Sequence, residues 1–69
     1  MALTTDDIVD IARQHELKTS SSSFCFSEAL RFWYKDNDAQ AEFWAMESLK
    51  HSVGIFHPDY KAVRAVVKG

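Results

Sequence analysis

At 69 residues the chain has room for one domain but not for two, since domains of this size bury only one modest core. Hydrophobic residues make up 46% of the chain and charged residues 26%, a balance that argues against disorder, and the short apolar stretches exclude a membrane-spanning helix. The net charge of −2 disfavours general attachment to nucleic acid or anionic lipid, because both select basic surfaces.

The first predicted helix covers residues 5–16. Thr4 is suited to its N-cap, and Asp7, three residues later, completes a variant of the capping box. The helix carries one apolar stripe at i, i+3, i+4 and i+7 spacing, formed by Ile8, Ile11, Ala12 and His15. This stripe is expected to face the rest of the domain.

A serine-rich segment, residues 18–23, comes next. Serine side chains compete with helical hydrogen bonding and make good N-caps, so we predict a connector that ends in a cap. The second predicted helix covers residues 23–35, and its apolar residues extend well past one face. We therefore expect most of this helix to be buried.

Residues 36–38 interrupt the helical pattern, and Asn37 is suited to the N-cap of a third helix over residues 38–53. So short a break predicts that the second and third helices form a hairpin. One face of the third helix is rich in small side chains that permit close packing, among them Ala41, Ala45 and Ser48.

The last predicted helix covers residues 58–68. Gly54 is suited to end the third helix, Pro58 suits the first turn of the next one, and His57 before it is placed to act as a cap. The predicted fold class is therefore all-α: a small single domain of three to four short helices with a central antiparallel helical hairpin.

The hairpin also resembles one helix pair of the tetratricopeptide type. The resemblance rests on the spacing of Ala29, Phe32, Ala41 and Ala45 and covers about half of the chain. It amounts to a single repeat, whereas repeat proteins need several to bury a core, so we interpret it as a shared helical hairpin and transfer no function from it.

Metal binding and catalysis are weakly indicated. The chain contains His15, Cys25, His51 and His57, but it has no C-x-x-C, no H-x-x-x-H and no acidic calcium loop. We predict no metal and no other cofactor. With two glycines in the chain, a nucleophile elbow or a phosphate-binding loop is also excluded, so no enzyme is predicted.

Cys25 is the one candidate reactive thiol. It is predicted to lie in the first turn of the second helix, where the helix dipole lowers a thiol pKa. The competing interpretation is a small buried hydrophobic residue, since Phe24 and Phe26 flank it.

A basic stripe on the last helix is a candidate anion-binding site. It consists of Lys61, Arg64 and Lys68, with Lys50 of the third helix as an extension. On this reading the protein is a small ligand- or phosphate-binding regulator, with nucleic acid as an improbable partner because the remaining surface is acidic. The competing interpretation is a solvated helix face that complements the dipole.

Nine aromatic residues are more than one small core readily absorbs. Large aromatic patches generally mark interaction sites, so the leading hypothesis is a non-enzymatic interaction module, either a homodimer or a small adaptor that binds another protein. We expect four residues to face outward: Phe32, Trp33, Phe43 and Met46. A lone cysteine and the absence of a signal-like first segment predict a cytoplasmic protein without membrane contact.

Overall fold

A computed structural model describes residues 3–15 and 19–67. These residues form four helices and no strand: α1 (Thr5–Gln14), α2 (Ser20–Tyr34), α3 (Asp38–Ser52) and α4 (Pro58–Val66). The all-α prediction is confirmed, with α3 at the centre packing against each of the other three helices. No helix in the described part of the chain is both long enough and apolar enough to cross a membrane.

The start of α1 has the predicted capping box. The Thr4 hydroxyl accepts a hydrogen bond from the Asp7 amide at 3.1 Å, and the Asp7 carboxylate accepts one from the Thr4 amide at 3.0 Å. The helix ends at Gln14, earlier than predicted, because the backbone of His15 turns to an extended conformation. The predicted last residue, 16, lies outside the described ranges.

The start of α2 corrects the sequence prediction. Thr19 is the N-cap, with its hydroxyl accepting from the Ser22 amide at 3.0 Å, and residues 20–23 form the first helical turn instead of a connector. Ser22 is fully buried, and its carbonyl accepts a hydrogen bond from the Ser48 hydroxyl at 3.0 Å. This contact with α3 helps to hold a serine-rich turn in the helix, a tertiary effect that local propensity does not include. Residue 18 lies outside the described ranges.

The turn between α2 and α3 is a Schellman motif with an unusual residue in it. The amides of Asp36 and Asn37 donate to the carbonyls of Trp33 and Phe32, at 3.0 and 2.9 Å. Asp36 has a φ of +59°, in the left-handed region where glycine is the usual residue. The chain therefore keeps a carboxylate at a position where glycine would be the less strained choice.

Asp36→Gly should raise the free energy of unfolding by about 0.5–1 kcal/mol, because glycine adopts this conformation without steric cost. Urea denaturation followed by circular dichroism measures the change. Asp38→Gly is the matched control, since it places glycine in the first turn of α3 and should lower stability. Equal effects in the two variants would argue against strain at Asp36.

The helices α2 and α3 pack as the predicted antiparallel hairpin. Ser22 near the start of α2 contacts Ser48 near the end of α3, and the rings of Phe24 and Trp44 meet edge to face at 6.1 Å. The seam between the helices consists of small residues that are completely or almost completely buried: Ala29, Ala41, Ala45 and Ser48. Their size lets the two backbones approach closely, as the small face of α3 predicted.

The core is built from aliphatic side chains of α1, α3 and α4. Its main members are Ile8, Ala12, Leu49, Val63 and Val67. All nine aromatic residues of the chain lie in the described ranges, and none of them is fully buried. Met46 is 6% exposed and belongs to the core, so the prediction that it faces outward is wrong: α3 is central, and that side of it is covered.

The last helix begins as predicted. Pro58 is its first residue, and the imidazole Nδ1 of His57 accepts a hydrogen bond from the Asp59 amide at 3.1 Å. Val63 is the buried centre of α4, and Val67 follows as its C-cap. The helix is two residues shorter than predicted, and residue 68 lies outside the described ranges.

Candidate functional site

One end of the molecule combines aromatic rings with carboxylates. The start of α1, the end of α2 and the start of α3 meet there, and two hydrogen bonds link them. The indole Nε1 of Trp33 donates to Asp6 at 2.7 Å, and the Thr5 hydroxyl donates to Glu42. We call this surface the acidic–aromatic face, and it consists of Asp6, Asp7, Asp10, Trp33, Tyr34, Asp36, Asp38 and Glu42.

Three open grooves divide the acidic–aromatic face and meet at Asp6. Their volumes are about 280, 420 and 320 Å³. Six of the ten acidic residues in the sequence line them. In the described part of the chain, Arg13 is the one basic side chain that lines any of the three. The grooves therefore carry a negative potential that favours cationic groups.

Two aromatic rings stand in the middle of these carboxylates. Tyr34 is 75% exposed, Trp33 is partly exposed, and their ring centroids lie 5.3 Å apart. An aromatic face attracts a cation through its quadrupole, and a carboxylate attracts the same cation through its charge. Rings and carboxylates side by side are thus suited to bind lysine or arginine side chains.

The predicted interaction residues have different positions. Trp33 belongs to the acidic–aromatic face. Phe32 is partly exposed, and the guanidinium of Arg31 lies 4.8 Å from its ring centroid. Phe43 is also partly exposed but packs against the core and against Trp44.

Sequence reasoning missed Tyr34 and the carboxylates. The aspartates of α1 were interpreted as partners of the helix dipole, and Asp36 as part of a helix break. Each interpretation is correct locally, but neither shows that α1 and the hairpin turn come together. The concentration of acidic residues at 6–10 and 36–42 was the available signal.

The basic stripe is not assembled into a described groove. Lys50 and Lys61 are exposed, and none of the basic residues predicted to bind anions lines the three grooves above. The Arg64 guanidinium donates to the carbonyl of Val67, at 3.4 Å, near the end of its own helix. Lys68 lies outside the described residues. Anion binding here remains a prediction.

Cys25 lines a groove of about 400 Å³ at the other end of the hairpin, together with Glu47 and His51. The side chain itself is almost fully buried. Burial raises the pKa of the Cys25 thiol, and the nearby Glu47 carboxylate raises it further. Because α2 begins at Ser20, Cys25 also lies beyond the first turn, where the effect of the dipole fades. These features disfavour a reactive thiolate.

Cys25 should react with iodoacetamide at least about tenfold more slowly than a small free thiol near neutral pH, because only the thiolate attacks. The rate should rise only at a pH above the usual thiol range. Mass spectrometry of quenched samples measures the rate, and the urea-unfolded protein is the control. A folded-state rate equal to that of the unfolded chain would contradict this expectation.

A second polar cluster joins the end of α1 to the start of α4. The imidazole Nε2 of His15 lies 2.6 Å from the Asp59 carboxylate, and the rings of His15 and His57 meet edge to face at 5.0 Å. One potential ligand atom from each of the three residues lies within 4.8 Å of the others. No spacing motif announces this cluster, because folding brings together residues 44 positions apart.

Comparison of the chain with protein-family models, with curated proteins and with solved structures gives no match. The functional argument therefore rests on the residues and geometry described above.

Proposed function

We propose that the protein is a non-enzymatic interaction module that binds a basic segment of another protein through the acidic–aromatic face. The observation that carries this proposal is the position of Trp33 and Tyr34 among six carboxylates at one end of the molecule. A lysine or arginine of the partner lies against an aromatic ring while its charge pairs with Asp6 or Asp36.

The shape of the face supports a peptide-like partner. Three shallow grooves that meet at Asp6 accommodate several side chains along a segment better than one enclosed small molecule. The negative potential also favours a protein partner over nucleic acid, because phosphates are repelled by carboxylates.

The strain at Asp36 is a second, independent support. A φ of +59° favours glycine, yet the chain has a carboxylate there that lines the groove containing Trp33 and Tyr34. Residues in strained conformations cluster at functional sites, where their side chains contribute something that stability alone does not select.

A titration with two peptides tests the proposal. One peptide alternates arginine with glycine and the other alternates glutamate with glycine, and tryptophan fluorescence reports binding. The arginine peptide should bind, with an affinity that falls at least about tenfold between roughly 0.05 and 0.5 M salt, whereas the glutamate peptide should not. Equal binding of both peptides, or no salt dependence, would contradict the proposal.

Light scattering in the same buffers determines whether the partner is a second copy. A monomer at low and high salt supports a basic segment of another protein. A salt-resistant dimer that dissociates when Trp33 is replaced by alanine supports the homodimer predicted from the aromatic content. A cytoplasmic location remains part of the proposal, since a lone cysteine suits a reducing compartment.

A further inference from the structure

The cluster of His15, His57 and Asp59 lies away from the acidic–aromatic face, at the opposite end of α1. It offers two imidazole nitrogens and one carboxylate oxygen, a donor set that zinc prefers. The side chains of His15 and Asp59 are 19% and 44% exposed, so the cluster is sheltered but open to solvent on one side.

The distances fit a single ion after small side-chain rotations. Zinc binds imidazole nitrogen and carboxylate oxygen at about 2.0–2.2 Å in tetrahedral geometry, so its donor atoms lie roughly 3.3 Å apart. The present separations bracket that value, with 2.6 Å between His15 and Asp59 and an upper limit of 4.8 Å within the cluster. Three protein ligands leave the fourth position for water.

The hydrogen bonds of the cluster are compatible with this exchange. His57 Nδ1 already presents a lone pair, which it now shares with the Asp59 amide, and the amide can turn to water at an exposed helix start. His15 binds through Nε2 once its remaining proton lies on Nδ1. The ion then replaces the direct contact between His15 and Asp59.

The fold also has a use for such an ion. Domains of this size usually need a disulfide, a metal or a partner, and one cysteine cannot form an internal disulfide. The last helix buries little beyond Val63 and Val67. A metal shared by His15 with His57 and Asp59 clamps the start of α4 to the end of α1.

We propose that His15, His57 and Asp59 form a zinc site that fastens α4 to α1. Protein treated with a chelator and then titrated with zinc chloride should bind one ion per chain by calorimetry. The melting temperature should rise by at least about 5 °C in excess zinc, because the ion binds only the folded chain. The ring-proton resonances of His15 and His57 should shift in the NMR spectrum, while those of His51 should not.

His15→Gln and Asp59→Asn are the test variants, because both retain polar side chains of similar size. His51→Gln is the matched control, since His51 is exposed and lies outside the cluster. Zinc should no longer raise the melting temperature of the two test variants and should still raise that of the control. The proposal is overturned if zinc does not bind, if binding survives in His15→Gln, or if His51 shifts together with a loss of binding in Cys25→Ala.

Discussion

Replacing Trp33 by alanine should weaken binding of the arginine peptide by at least about 2 kcal/mol, which is roughly 30-fold in the dissociation constant. Trp33 lines two of the three grooves, and its indole holds Asp6 in place through the 2.7 Å hydrogen bond. The substitution thus removes an aromatic contact and releases a carboxylate that faces the same partner. Calorimetry at low salt measures the loss.

Phe56→Ala is the control for this experiment. Phe56 is 82% exposed, but it lies in the turn after α3, at the end of that helix opposite to the acidic–aromatic face. Its removal should leave peptide affinity unchanged. If the two variants weaken binding equally, the peptide recognises exposed aromatic rings in general, and the assignment of the site to Trp33 is wrong.

Replacing Leu49 by alanine should lower the free energy of unfolding by about 2–5 kcal/mol. Leu49 is fully buried in the core of α3, which packs against every other helix, so neighbouring side chains cannot easily fill the cavity. A chain of this length has a total stability of roughly 3–10 kcal/mol. The variant should therefore lose much of its cooperative urea transition by circular dichroism.

Ile55→Ala is the matched control, because it also removes aliphatic carbons but from a side chain that is 47% exposed. Its effect should stay within about 1 kcal/mol. A similar small loss for Leu49→Ala would mean that the core relaxes around the cavity, and that α3 is not the element on which the domain depends.

The local features of the fold could be predicted from the sequence. Thr4, Asn37 and His57 cap their helices as expected, and Pro58 begins α4. Each of these depends on a side chain and a backbone amide within three residues of it. Signals of such short range do not need the tertiary structure.

Features that depend on distant neighbours were predicted less well. The serines of α2 were interpreted as a connector because the buried contact between Ser22 and Ser48 is not visible in either segment. Met46 was expected at the surface because the periodicity of α3 does not show that three helices surround it.

The candidate sites divide along the same line. The excess of aromatic residues and the acidic segments could be read from the sequence, and they indicate an interaction surface of some kind. That Trp33 lies beside Asp6, and that His15 meets Asp59, depends on how the helices pack. Helix formation and capping follow from interactions within a few residues, whereas these contacts form only when the helices bury a common core.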